Sequence, residues 1–204
     1  ATLDSLNKPS EKYYRTRPTV EFQLKVAEDL YLRRDYNDTI LKVIANSELL
    51  PKKQYKYSDF SFILFKEYLE RENGKSLEYL AENNFYKYLG ATSLTYNPLH
   101  KFDKSIVIPT ENDNYFRYQK VHGYVHDMAA AMQGGISGHA GLFSNALDIA
   151  KVMQMYLQKG NYGGKQFITE ETLQKFNTCY FCKDGNRRGV GFDKPQLGNE
   201  GPTC

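Results

Sequence analysis

Residue types able to do chemistry gather at four places in this chain. Tyr57-Ser58-Asp59 sets a phenol, a hydroxyl and a carboxylate side by side, just ahead of a strongly apolar stretch. A phenol at the entrance to a core helix is held by rigid scaffold and can still face a cleft. Beside cationic neighbours its pKa of about 10 would fall enough for it to relay protons. Ser5-Leu6-Asn7-Lys8 is the single S-x-x-K of the sequence, a spacing that on a helix brings an amine within one turn of a hydroxyl. Pro9 pushes Lys8 out of the α region and no apolar stripe surrounds the motif, so it does not read as catalytic. His122, His126, Asp127 and His139 invite a metal reading, because two His at i and i+4 of a helix can share one ion. Gly123 breaks a helix there, and Tyr124 and Val125 favour strand, in which residues four apart lie roughly 13 Å from each other. These imidazoles are expected instead to hydrogen-bond to nearby loop backbone, and neither a metal nor a cofactor is implied. Cys179-Tyr180-Phe181-Cys182 is formally a C-x-x-C, but no second pair or nearby His pair completes a four-ligand site. The pair reads as incidental thiols or a disulfide, and Cys204 makes the count odd, leaving one thiol free or paired outside the chain.

The elements that would position these groups follow from periodicity. Residues 1–18 are polar, carry Pro9 and Pro18, and read as an extended lead-in. From Thr19, Val20, Leu24, Ala27, Leu30 and Tyr31 fall on one face of a 3.6-residue period and predict a helix. A second helix is expected after Asp35, burying Ile40, Leu41, Ile44 and Ala45. Ser58 or Asp59 can cap the next helix, whose Phe60, Phe62, Ile63, Leu64, Phe65, Tyr68 and Leu69 cover more than one face, as in a buried central helix. Gly74 supplies its left-handed stop, and Ser76 caps a further helix ending near Gly90. Residues 91–120 read as loop with short strands around Ser105–Ile108 and Phe116–Val121. Asn145 with Asp148 resembles a capping box. It opens a helix whose stripe is Ala146, Ile149, Ala150, Met153, Tyr156 and Leu157, and a last short helix runs from about Thr169 to Phe176. The fragment is expected to be mostly α-helical with a few short strands.

Composition narrows the classes. The chain has 204 residues, 27 Lys plus Arg against 24 Asp plus Glu, and a net charge of +3 with no concentrated basic run, which excludes a nucleic-acid partner. At 14% aromatic, with 17 Tyr and 12 Phe, it can bury a sizeable core. Apolar runs are short, so no membrane span is expected, and the first ten residues lack the apolar core of a signal peptide. The start at Ala1 and the loop-like end Gly198–Cys204 read as cut sites.

Tyr57-Ser58-Asp59-Phe60-Ser61-Phe62-Ile63-Leu64, then Gly74-Lys75-Ser76-Leu77 and Tyr88-Leu89-Gly90, resembles the middle of a serine β-lactamase-related hydrolase. That family includes class C β-lactamases, D-alanyl-D-alanine carboxypeptidases and esterases. The Gly134–Ser144 stretch is similar to the family's Gly-rich passage, and Ser144-Asn145-Ala146-Leu147-Asp148-Ile149-Ala150-Lys151 to the helix that follows it. The resemblance covers roughly Tyr55 to Asp193. Val125-His126-Asp127 and Gly191–Pro195 look closest to modules fused behind a glycosidase domain in some bacterial envelope proteins, which implies such a domain in the same parent chain.

The resemblance implies a β-lactamase/transpeptidase-like α+β fold in the parent, of which residues 19–197 are a partial domain and 198–204 a truncated loop. It implies catalytic roles for Tyr57 and Asp59, with the S-x-x-K serine and lysine upstream of Ala1 and the His- or Lys-Thr-Gly motif beyond Cys204. Asp59 stands where the family usually has Asn; an acceptor-only carboxylate there makes ester or peptide hydrolysis fit better than β-lactam hydrolysis. The implied chemistry is acyl transfer on a small peptide, amide or ester, cell-wall related and peptidoglycan-derived, in a periplasmic or extracellular parent. A fragment without the nucleophile would be inactive, and an apolar face left by the missing sheet would favour a dimer. The other reading is a non-catalytic cell-wall or partner-binding module built on the same fold.

Overall fold

A computed structural model describes residues 2–52 and 54–195. It begins with a sheet where a helix is expected. Strands β1 (Tyr14–Arg15), β2 (Phe22–Ala27) and β3 (Leu30–Arg33) pair antiparallel in the order β1-β3-β2. The register of β2 against β3 shifts between Phe22 and Leu24 and again between Lys25 and Ala27. Such irregularities insert residues into the two-residue alternation, so apolar side chains recur at three and four and imitate a helix. Residues 2–18 of the expected lead-in are anchored through β1: Tyr14 is buried in the core with Val26, Leu30, Leu32, Phe116 and Val125. The boundary expected at residue 197, the loop 198–204 and Cys204 lie outside the described residues.

Helix α1 (Tyr36–Ala45) follows Asp35 as expected, but only Ile44 of its apolar positions is buried. Helix α2 (Phe60–Asn73) starts where expected and stops at Gly74, whose φ of 60° suits a residue without a Cβ. It is not the buried central helix that its composition suggests. Its buried residues are Ile63 and Lys66, while Phe65 is 56% exposed. Lys66 tolerates burial because Glu67 and Glu70 hold its ammonium at 3.2 and 3.1 Å. Ser76 accepts the N–H of Tyr79, opening α3 (Leu77–Ala81), which continues through a wider turn, Glu82–Tyr86, into α4 (Lys87–Leu89) and stops at a left-handed Gly90.

The remaining strands are short: β4 (Thr95–Tyr96), β5 (Pro109–Asp113), β6 (Gln119–His122), β7 (Leu142–Phe143), β8 (Asn161–Tyr162) and β9 (Lys165–Gln166). They pair as β4-β7, β5-β6 and β8-β9. The strand expected at Phe116–Val121 overlaps β6. The one expected at Ser105–Ile108 is displaced to β5, because Lys104–Ile106 forms a tight helical turn capped by Asp103.

Helices α5 (Met128–Ala131), α6 (Ala146–Leu157) and α7 (Glu170–Asn177) complete the described chain. Asn145 caps α6 by accepting the N–H of Asp148 at 3.0 Å. The reciprocal half of the box is missing, because the Asp148 carboxylate accepts from Ser93 and Lys151 instead. The expected apolar stripe of α6 is largely open, with Met155 buried beside Leu89, Ala91 and Leu94 but Met153 exposed. Among the described residues helices outweigh strands, and no helix is long and apolar enough to cross a membrane.

Candidate active site

Two segments converge at the start of α2. The first is Tyr57-Ser58-Asp59. Ser58 Oγ accepts the N–H of Phe60 at 3.2 Å, so the hydroxyl caps α2. Asp59 occupies the N-cap position without capping, and its carboxylate is free to receive the Tyr57 hydroxyl. The second segment is Ser137-Gly138-His139. A Cβ on Gly138 would meet the carbonyl oxygen of Phe62, so only glycine lets this loop lie against the first turn of α2. Asn97 donates to the carbonyl of Gly134 at 2.9 Å, and β7 pairs with β4, which fixes the loop from both ends.

Asp127 is brought to the same place by a buried cation. The Arg117 guanidinium is fully enclosed and donates to Asp113 (2.7 Å) and Glu111 (2.6 Å). It also donates to the carbonyls of Val125 (2.6 Å) and His126 (2.8 Å), which fixes the backbone immediately before Asp127. His139 Nε2 then lies 2.8 Å from Asp127 Oδ1 and its Nδ1 2.9 Å from Ser137 Oγ. Ligand atoms of Asp59, Asp127 and His139 all fall within 4.8 Å of one another. Ser137, His139 and Asp127 have the residue types and links of a nucleophile, base and orienting acid. Ser137 is 1% exposed, however, so no carbonyl carbon can reach its oxygen.

Tyr57 and Asp59 open onto a cleft of about 990 Å³, with Arg188, Phe181 and His139 on its walls. Tyr57 is 63% exposed, and the Arg188 guanidinium lies 5.2 Å from its ring centroid. The expectation of a lowered phenol pKa is not met. The hydrogen bond to Asp59 and the charge of Asp59 push the Tyr57 phenol up, and the pull of Arg188 does not offset them. Asp127 titrates low because the His139 ring bonds its carboxylate, outweighing its partial burial.

The other sequence-level sites resolve simply. His122 meets the carbonyl of Val107, and His126 is exposed with Glu111 3.5 Å away, so these two imidazoles do not share an ion. Ser5 and Lys8 sit in an exposed turn organised by the Asp4 carboxylate. Cys179 and Cys182 form a disulfide. Sequence reasoning gave no role to Arg117, Ser137 or Arg188: Ser137 falls within the Gly134–Ser144 stretch without a role of its own, and the charge of Arg117 gives no hint that it is enclosed.

The description "Beta-lactamase" belongs to the family whose model matches residues 13–196. A protein of Escherichia coli (strain K12) named "Putative D-alanyl-D-alanine carboxypeptidase" is 37% identical over 157 residues, covering 71% of this chain and 36% of that protein. Its namesake in Salmonella agona is 33% identical over 152 residues, covering 68% and 35%. The chain thus spans about a third of the length of these relatives. An octameric penicillin-binding protein homologue from Pyrococcus abyssi superposes with a TM-score of 0.48 at 18% identity, over 72% of this chain and 35% of that one. The matched stretch runs from the anchored strand at Tyr14, through the Tyr57 turn and the Gly138 loop, to the wall of the cleft. This helix-rich chain is a piece of a β-lactamase/transpeptidase-like α+β fold, and it belongs to the beta-lactamase family.

Proposed function

We propose that the complete protein is a serine hydrolase acting by acyl transfer on a small peptide, amide or ester, with peptidoglycan-derived peptides as its natural class. The observation that carries this is the pairing of Tyr57 with Asp59 at the mouth of the cleft, within a chain of this family. In this reading a serine supplied by another part of the protein attacks the carbonyl and forms an acyl ester. The lysine of the same S-x-x-K and Tyr57 pass its proton to the leaving group, and backbone N–H groups hold the oxyanion. Asp59 orients the Tyr57 hydroxyl and receives the lysine ammonium. That ammonium would offset the charge that now holds the phenol up, returning Tyr57 to a range where it can relay protons. The relatives named as carboxypeptidases support a peptide substrate, and the disulfide supports a periplasmic or extracellular setting. A glycosidase domain in the same parent chain belongs to this proposal through the likeness of residues 125–127 and 191–195.

The 204-residue chain alone is expected not to hydrolyse nitrocefin or p-nitrophenyl acetate. Stoichiometric acylation of any of its residues by a fluorescent penicillin would overturn the reading. In the complete protein, Tyr57→Phe should lower kcat on a D-alanyl-D-alanine peptide by about 10²- to 10⁴-fold, the usual span of a general acid–base group. An unchanged kcat would remove Tyr57 from the mechanism.

A further inference from the structure

We propose that Asp59, Asp127 and His139 form a zinc-binding site. Three segments distant in sequence deliver the ligands: the turn before α2, the residue held by the Arg117 clamp, and the loop that Gly138 allows against α2. One imidazole nitrogen with two carboxylates is a donor set suited to a first-row transition ion, and three protein ligands leave a fourth position open.

Several features of the site go beyond an acidic cluster. The His139 ring is nearly enclosed, at 5% side-chain exposure, and is oriented from behind: Ser137 Oγ holds Nδ1 at 2.9 Å, and Ser137 is itself tied to Gln133 at 3.1 Å. An outer hydrogen bond that fixes one ring nitrogen and aims the other at the ion is the usual support of a ligating histidine. The aimed nitrogen, Nε2, faces Asp127 Oδ1 across 2.8 Å, and a bound ion would take the place of that direct contact. Asp59 leaves the cap of its helix to Ser58, and one of its carboxylate oxygens lies within 4.8 Å of the ligand atoms of Asp127 and His139. The ligand atoms are spread over no more than 4.8 Å. Tetrahedral ligation at about 2.0–2.1 Å separates ligand atoms by roughly 3.3 Å, so closing requires a movement of about 1.5 Å. Rotation of the Asp59 side chain away from the Tyr57 hydroxyl can supply it, so that in the complete protein zinc and the S-x-x-K lysine compete for this carboxylate.

Isothermal titration of the chain with zinc chloride, in a Cys204→Ser background to exclude the thiol, should give one saturable site at micromolar metal. Cobalt(II) should produce visible bands of a four-coordinate site. His139→Gln should weaken binding by about 10-fold or more, and Asp59→Asn likewise, while His100→Gln should leave it unchanged. Asp127→Asn keeps an oxygen to cap α5, and matching circular dichroism spectra show that each variant is folded. Absence of saturable heat would overturn the proposal, as would wild-type affinity in both Asp59→Asn and His139→Gln. The titration involves no ester or peptide, so its failure leaves the acyl-transfer reading standing, and an inactive complete protein would not affect it.

Discussion

Arg117 is the residue on which the geometry of the site depends most. Its enclosed guanidinium joins two carboxylates to two carbonyls, and one removal breaks four bonds at once. Asp113 is 2% exposed and its carboxyl titrates low: burial pushes it up, but Arg117 and the N–H groups of Tyr115 and Phe116 outweigh that. Arg117→Met would leave Asp113 buried without its counter-ion. The expected cost is about 3–5 kcal/mol, read as a lower urea midpoint. A change below about 1 kcal/mol would mean that water reaches the carboxylates and that the clamp is not closed. Gly138→Ala tests a different contact, since the added Cβ would meet a backbone oxygen that has no rotamer to move. Its expected signature is displacement of His139 from Asp127, seen as altered His139 ring resonances in NMR spectra. Unchanged resonances would mean that the loop can back away from α2 at little cost.

At the scale of the element, α6 shows how one carboxylate replaces the textual cap that the sequence suggests. Asp148 is buried and accepts from Lys151 at 2.7 Å and from both the N–H and the hydroxyl of Ser93 at 2.6 Å. Burial pushes its carboxyl up, but these bonds win and hold it at about 2, below the 3.8 of an unperturbed aspartate. A carboxyl depressed in the folded state stabilises the fold above its unfolded pKa, and that stability is lost as pH falls through the folded one. The shift corresponds to about 2 kcal/mol, which should vanish between about pH 4 and pH 2. Asp148→Asn should flatten the urea midpoint across that window, and an equally steep acid loss in the variant would assign the effect to other groups. Elements of this kind were legible where caps and stops carry the signal: α2, α3, α6 and α7 begin where Ser58 or Asp59, Ser76, Asn145 and the Thr169 region predict. The β2–β3 hairpin was not, because its register shifts counterfeit a helical period. The site was half legible. Tyr57 and Asp59 are neighbours in sequence, whereas Asp127 and His139 meet them only through a buried arginine and a glycine contact, neither of which has a one-dimensional signature.

At the scale of the whole molecule, apolar side chains that the periodicity assigns to a core stand in the open. A groove of about 780 Å³ runs between α2 and α6, with Phe65, Leu69, Leu80, Leu142, Ile149 and Met153 among its walls. Phe65 is 56% exposed and Met153 48%. The periodicity was therefore right about which residues are apolar on these helices and wrong about whether the described residues cover them. An apolar surface of this breadth favours association, since removing it from water contributes about 25 cal/mol for each Å² buried. The chain should therefore self-associate as its concentration rises, and should enhance the fluorescence of an apolar dye such as ANS. Leu69→Ser with Met153→Ser should weaken both effects while leaving the Tyr57 cleft intact, because both residues line the groove and neither lines that cleft. Sedimentation velocity over a range of concentrations separates the outcomes. A single monomeric species throughout, with dye binding unaltered by the double substitution, would show that this groove closes on itself in solution and that α2 is not the face on which a further part of the fold rests.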